Sequence, residues 1–481
     1  MRTRSAARIQ GDDYQHLVAW RHVVRSTLRG SGIVAVEIEA PEAGNVDDVV
    51  VCSESGPDEY HQVKWAVDAS SPVGTGWLTE ASAQSTSILQ KLFASWRLLT
   101  GDGPPRLSLV TNRNIDPDDN AFKAFDQRSQ TLVEGMRTAS ERSYIARARA
   151  QWAEHLEADE DELLAMLEVL RFQCGRDLAS ELEMAAWVMA AGGLRDDEEA
   201  IAAGVGLVRS WVADSRDRVG PDDVHAAVHH LGLYRTDPGS LLVVEAINDD
   251  PHPEDATVRL DWRGFFPGDS AYDRAGAIGP DVWEGRLPND LQAARERLAQ
   301  VGAERVVIRA KMRLPSWFAV GAEFREVAGF QVISRKHGVT HASDADRSVR
   351  EELHQEVTPL GLGGDLAVVV AFSANPGDEP LRHLREHEVP VGNVAALRPE
   401  TGVGPDSVGG PEAVVGLAVK VRDVVRNLVR EHDPEVVHLF LVVPDVLALM
   451  LGHRWNRVRP TRVYEHLGVG RGYQPGFMVP S

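Results

Sequence analysis

Four polar residues near the N-terminus, Glu37, Asp48, Gln62 and Lys64, stand in an order that suits hydrolysis of a phosphodiester. Gln62 and Lys64 flank Val63 in the β-type run Tyr60–Trp65, so alternation puts both on one side of a strand and Val63 on the other. Asp48 opens the preceding run, Asp47–Val51, and the intervening Ser53–Asp58 has the composition of a hairpin loop. The return strand can therefore carry Gln62 and Lys64 alongside Asp48. Such a set suits a divalent cation, Mg2+ or Mn2+, held by oxygens of Glu37, Asp48 and the Gln62 amide, which would polarise a phosphate and acidify a water. The Lys64 ammonium would orient that water or stabilise charge developing on phosphate. Asp47 is the alternative to Asp48 as the metal-holding carboxylate.

The elements needed to position these residues are legible around them. Tyr14, Leu17, Val18, Trp20, Val24 and Leu28 recur at helical spacing, and Val34–Ile38 reads as a strand before the hairpin. A helical pattern over Thr79–Leu99 ends at Gly101 and Gly103-Pro104-Pro105, and Arg106–Thr111 is a buried-type strand. Asn112 and Arg113 follow it, where they either touch a DNA backbone or cap the loop. The run 118–236 is rich in Ala, Leu, Glu and Arg, which favours packed helices. This divides the first half of the chain into a core over 1–117 and a helical region over 118–236.

Composition changes at Asp237-Pro238-Gly239, and Asp249–Pro253 reads as a linker into a last domain over 251–481. That domain carries an internal repeat. The strand Val258–Trp262 leads to Pro267-Gly268-Asp269, as Ala367–Phe372 leads to Pro376-Gly377-Asp378. Pro315–Ala319 precedes Gly321, as Pro444–Ala448 precedes Gly452. Two Rossmann-like halves, about 251–345 and 346–481, are expected, with a ligand outside the carboxyl ends of their strands.

The chain has 481 residues, 43% hydrophobic and 26% charged, which is the composition of a folded multidomain protein. Its net charge of −21 excludes a protein that coats nucleic acid through a general field, so any contact with DNA must be local. Two cysteines, Cys52 and Cys174, give neither a disulfide framework nor a zinc ribbon, and a cytoplasmic location is expected. No run is long and apolar enough for a membrane helix. The histidines at 225, 229 and 230, at 337 and 341, and at 383 and 387 lack the spacing of a metal site.

The segment Gly11-x-x-Tyr14-Gln15, then Asp47-Asp48, then Gln62-Val63-Lys64, resembles bacterial defence endonucleases of the PD-(D/E)xK superfamily. It departs from that pattern in having Val46 where the superfamily has proline and Gln62 where it has an acid. The C-terminal half, through Leu314–Gly321 and Leu441–Gly452 with Val463-Tyr464-Glu465, resembles the SAVED domain, a fusion of two CARF-like units that binds cyclic oligonucleotides. Together these ends resemble the CBASS effector endonucleases fused to SAVED, the CD-NTase-associated protein four family. The resemblance implies an α/β fold, a PD-(D/E)xK-type core with a helical extension followed by a duplicated CARF-like domain. It also implies a Mg2+-dependent double-stranded DNA endonuclease in antiviral defence, activated by a cyclic oligonucleotide through self-association. The rival readings are a nuclease acting on RNA and an inactive protein that only binds DNA or a partner. For the nucleotide, stacking surfaces and phosphate donors are expected from Trp262, Arg263, Lys311, Arg313, Ser373, Asn375 and Arg454; Trp262 is alternatively core, and Arg454 alternatively pairs with an acid such as Glu465.

Overall fold

The computed structural model describes residues 2–81, 85–268, 274, 276–345, 352–405, 407–468 and 470–481. The chain divides into two compact units, Met1–Pro238 and Gly239–Ser481.

The first unit is built on a six-stranded sheet in the order β5-β4-β3-β2-β1-β6. Its strands are β1 (Ile33–Ile38), β2 (Val49–Ser53), β3 (Glu59–Lys64), β4 (Arg106–Thr111), β5 (Leu170–Gln173) and β6 (Arg218–Val219). β1, β2 and β3 form an antiparallel meander, and β4 and β5 continue it in parallel. The helices are α1 (Arg2–Ser26), α2 (Thr75–Thr79), α3 (Ile88–Leu99), α4 (Val133–Thr138), α5 (Tyr144–Leu156), α6 (Glu160–Val169), α7 (Leu178–Ala191), α8 (Glu198–Ala213) and α9 (Pro221–His230). Leu92 and Phe93 of α3, Trp152 of α5 and Leu163 and Leu167 of α6 share one core with Val50, Leu107 and Leu109 of the sheet. The bulky Trp20 of α1 lies over Gly204 of α8, where an added Cβ would fall 2.1 Å from the indole.

Two sequence expectations change here. The helix expected over Thr79–Leu99 starts only at Ile88, with Thr79 closing the short α2, because Ser87 caps it: its hydroxyl accepts from the Gln90 amide while the Gln90 side chain accepts from the Ser87 N–H. Residues 82–84 of that expected helix lie outside the described residues. The run 118–236 is not all helix either, since β5 and β6 join the first sheet at its two edges. Strands of four and two residues are too short to leave an alternation that competes with the helical patterns around them.

The second unit holds two sheets. One has the order β11-β10-β9-β7-β8, from β7 (Ser240–Glu245), β8 (Val258–Asp261), β9 (Arg305–Lys311), β10 (Gln331–Lys336) and β11 (Val339–Ala342). The other has the order β12-β14-β13-β15-β16-β17, from β12 (Leu353–Pro359), β13 (Asp365–Ala371), β14 (Val391–Pro399), β15 (Val437–Val442), β16 (Thr461–His466) and β17 (Tyr473–Val479). The helices are α10 (Leu287–Gln300), α11 (Leu314–Glu323), α12 (Glu379–Glu386), α13 (Pro411–His432) and α14 (Asp445–Arg454). Read from β8 and from β14, the sheets superpose in order and sense: four parallel strands and an antiparallel last one, with edge strand β12 as an addition to the second.

This topology makes β7 the counterpart of β13 and β8 the counterpart of β14. The match of Val258–Trp262 to Ala367–Phe372 is therefore off by one strand, and its PGD signature is a coincidence of turn chemistry; Asp269 itself lies outside the described residues. The displaced strand is β7, fully buried along Ser240–Glu245 between β8 and β9, although its residues fall before the expected domain start at 251.

The second match marks equivalent helices with the prolines two residues out of step: Gly321 and Gly452 are each the eighth residue of their helix, whereas Pro315 is the second residue of α11 and Pro444 precedes α14. α11 follows β9 as α14 follows β15, and the two helices cross with backbone against backbone. A Cβ on Gly321 would lie 2.1 Å from the Leu449 carbonyl oxygen, and one on Gly452 would lie 1.9 Å from that of Phe318. Each glycine thus faces the carbonyl three residues before the other. Gly321→Ala and Gly452→Ala are each expected to destabilise the C-terminal unit by about 2 kcal/mol or more, because backbone cannot yield as a side chain does. Gly285→Ala, with open space around it, should leave the same denaturant midpoint within about 0.5 kcal/mol.

Candidate functional site

The hairpin of β2 and β3 brings Asp48, Gln62 and Lys64 together. In the antiparallel register Val49 faces His61, so Asp48 stands opposite Gln62 on the same face. The Gln62 amide nitrogen donates to Asp48 Oδ2, the Val63 N–H donates to the same oxygen at 2.6 Å, and Lys64 Nζ lies 3.6 Å from it. Lys64 Nζ also donates to the Val63 carbonyl at 3.2 Å, so that oxygen opens toward the ammonium. Burial raises the Asp48 carboxyl above the usual carboxylate range, against the pull of Lys64 and the Val63 N–H.

Glu37 is not part of this group. Its carboxylate accepts from Arg218 and lies 3.7 Å from Cys52 Sγ. Glu37 pairs with Val50, and Cys52 and Asp48 flank Val50 in opposite directions along β2, so the side chain leans away from Asp48. The acid that meets Asp48 is Glu39, which the sequence reading missed. Its N–H donates to the Asp48 carbonyl at 3.2 Å, and it adopts a left-handed backbone with φ 56°. Burial, then the like charges of Asp48, Asp12 and Asp47, raise its carboxyl. Continuing the β1–β2 register by one residue past Ile38–Val49 would have pointed to Glu39.

The remaining motif residues serve as supports. Tyr14 stacks against Trp65, just after Lys64, with ring centroids 4.8 Å apart, and its hydroxyl donates to the Arg176 carbonyl at 2.7 Å. Asn112 is a cap: it accepts from the Ala66 N–H at 2.9 Å and donates to the Ala66 carbonyl at 2.7 Å. Arg113 donates to the Ser71 carbonyl and lies over the Trp77 ring at 5.5 Å.

A cluster also absent from the sequence reading lies on the opposite face of β3. Glu59 and His61 meet His22 of α1, with ligand atoms close enough to hold a metal and all three residues buried. The place of a cation there is taken by a guanidinium. Arg25 donates to both Glu59 oxygens at 2.7 and 3.1 Å and approaches His22 Nδ1 at 3.2 Å. Burial alone would raise the Glu59 carboxyl, but Arg25 and His61 hold it well below its ordinary value. The cluster pins α1 to β3 behind the Asp48 group.

In the second unit three of the seven expected ligand residues are consumed internally. Trp262 is fully buried and donates from Nε1 to Asp290 at 3.0 Å. Arg263 is buried among Asp261, Asp249 and Glu245. Arg454 is buried and bound to Glu326, not Glu465, and to the Ser343 carbonyl. Lys311 is exposed at the end of β9 and Ser373 is half-buried. Asn375 lines a cavity of about 800 Å³ against β12 and β14, with His354, Glu356 and Arg398. Arg313, on the residue before α11, is 4% exposed, lies 4.6 Å over the Phe266 ring and donates to the Gly276 carbonyl at 3.0 Å. It reaches across to Glu465 of β16 at 3.6 Å.

Residues 290–479 match the family model of SAVED, the SMODS-associated and fused to various effectors sensor domain, so the second unit carries a SAVED domain. No curated protein matches the chain. Solved structures similar to it include the Acinetobacter baumannii Cap4 SAVED/CARF-domain containing receptor with the cyclic trinucleotide 2'3'3'-cAAA, at 15% identity over 98% of this chain and 99% of that one, with a TM-score of 0.48. The Moraxella osloensis Cap4 SAVED/CARF-domain containing receptor is similar at 15% identity over 98% and 99%, with a TM-score of 0.45. Among the described residues, no helix is long and apolar enough to cross a membrane.

Burial raises the Glu465 carboxyl from 4.5 to about 8, partly opposed by Arg313. Between those values the folded chain holds a proton that the unfolded chain releases, so this group's stabilising contribution is lost as pH rises toward about 8. Glu465→Gln is expected to flatten that part of the pH dependence of thermal unfolding.

Proposed function

We propose that this protein is a metal-dependent endonuclease of double-stranded DNA, switched on when its SAVED domain binds a cyclic oligonucleotide signal of a CBASS antiphage system. The observation that carries the nuclease half is the convergence of Gln62, the Val63 N–H and Lys64 on one oxygen of Asp48. The sensor half rests on the SAVED match over 290–479.

The donor set suits Mg2+ or Mn2+. Beyond burial, the charges of Asp48, Asp12 and Asp47 raise the cost of ionising Glu39, and that of Asp47 the cost of ionising Asp48, with Lys64 as the nearby cation; a divalent ion relieves that repulsion. Asp48 and Glu39 would hold it, with the Gln62 amide oxygen and the Val63 carbonyl as neutral oxygens. When bound, the ion supplies charge for the phosphate and lowers the pKa of a water. Lys64, half-exposed beside Asp48, is placed to hold a water or a phosphate oxygen by its ammonium. Gln62 and the Val63 N–H fix the orientation of the Asp48 carboxylate. Activation requires the cyclic nucleotide to bind a self-associated state more tightly than the free protomer, since only differential affinity shifts an equilibrium.

The test is plasmid cleavage with Mg2+ and a panel of cyclic di- and trinucleotides. Ligand-dependent cleavage is expected, with a loss of at least about 100-fold in Lys64→Ala and Asp48→Asn. Glu39→Gln should cost more than about 10-fold, whereas Glu37→Gln should leave the rate within about threefold. Cleavage of RNA in place of DNA, or binding of DNA with no cleavage under any ligand, would overturn the reading. Light scattering on the same samples should show a rise in mass with the activating ligand, and an unchanged mass would remove self-association from the mechanism.

A further inference from the structure

Arg313 is buried with donors to spare. Its Nη1 binds the Gly276 carbonyl, but among the described residues Nε and Nη2 have no hydrogen-bond partner, and its 3.6 Å approach to Glu465 is too long for a hydrogen bond. A buried guanidinium left in that state is costly unless an anion completes it. Gln474, opposite Glu465 in the β16–β17 register, is in the same position: Oε1 accepts from the Ile278 N–H at 3.2 Å while Nε2 is unpartnered. Arg313 from the first half of the duplicated domain and Gln474 from the second thus meet beside one carboxyl group, that of Glu465. The chain at Gly276 and Ile278 is hydrogen-bonded to the same two side chains.

We propose that Arg313 and Gln474 form an anion site for a phosphate group, and that an ionised Glu465 and the bound anion exclude one another. This rests on the reading of the domain as a nucleotide sensor and adds to it a proton linkage. An anion that binds Arg313 takes over the guanidinium that an ionised Glu465 would need, and two negative charges in a buried space repel. Glu465 is therefore neutral in the bound state, its proton coming from solvent when binding begins from the ionised form. The groups that face this carboxyl are few: Arg313 from the start of α11, Tyr473 from β17, and Arg471 acting on Arg313 from the loop before β17. Burial lifts the Tyr473 phenol to about 12, so it stays neutral through the relevant range. With Glu465 at about 8, anion affinity is constant below that pH and falls up to about tenfold per unit above it.

Sulfate is the probe, because its charge does not change between pH 6.5 and 9.5. Its dissociation constant for the full-length protein is measured at constant ionic strength by calorimetry, with circular dichroism confirming that each variant is folded. Wild type is expected to weaken by at least about tenfold from pH 7 to 9.5, Glu465→Gln to bind with no such dependence, and Arg313→Met and Gln474→Leu to lose most of the affinity. Equal sulfate binding by wild type at pH 7 and 9.5, or binding that survives Arg313→Met, would overturn the proposal. The same titration with cyclic triadenylate, whose phosphodiesters also keep one charge each, tests the sensor reading separately. Failure of the cyclic nucleotide alongside pH-linked sulfate binding would sink the nucleotide reading and leave the anion site standing.

Discussion

The crossing of α11 and α14 is the contact on which the second unit depends. Gly321 and Gly452 let each helix rest on the other's carbonyl, and no side chain larger than hydrogen fits at either point. Because each helix follows the central strand pair of its own sheet, this approach fixes one half of the duplication against the other. It also decides which residues meet across the junction: the start of α11 reaches the end of β16 through Arg313 and Glu465, and the start of α14 reaches the end of β10 through Asp445 and Lys336 at 2.6 Å. The repeat has kept the geometry of these links while reversing their polarity.

In the first unit the organising element is β3, which works on both faces. Gln62 and Lys64 look to one side, where they meet Asp48; Glu59 and His61 look to the other, where Arg25 and His22 of α1 hold them. Strand alternation thus separates a chemically useful group from the charged cluster that anchors it. A helix tied to the strand by a bidentate guanidinium pair has little freedom to slide, and the same helix brings Tyr14 against Trp65 beside the candidate site.

Much of the charge that looked available in the sequence is spent inside the protein. Arg263 and Arg454 are buried and neutralised by nearby acids, so a basic residue past a strand end or beside a repeated helix was a poor guide to ligand contact. Arg313 differs because its acidic neighbour among the described residues, Glu465, is itself buried and inclined to be neutral. The distinction depends on how many acids surround each guanidinium, which a linear pattern does not record.

The sequence alone determined the hairpin and its Asp48, Gln62 and Lys64, because a two-residue period and a short turn leave one geometry. It also showed the recurring Pro-x-x-x-Ala spacing that marks the paired helices, with the glycine two residues after Ala319 and four after Ala448. Tertiary structure decided the rest. Glu39 replaced Glu37 at the site because a left-handed residue at the end of β1 carries it opposite Asp48, while Arg218, far along the chain, draws Glu37 away. Strand β7 entered the sheet interior, between β8 and β9, from a stretch whose flanks read as linker, and β5 and β6 joined the first sheet from a helical region. In each case the deciding contact joins residues distant in sequence, and local periodicity carries no information about partners that only folding brings together.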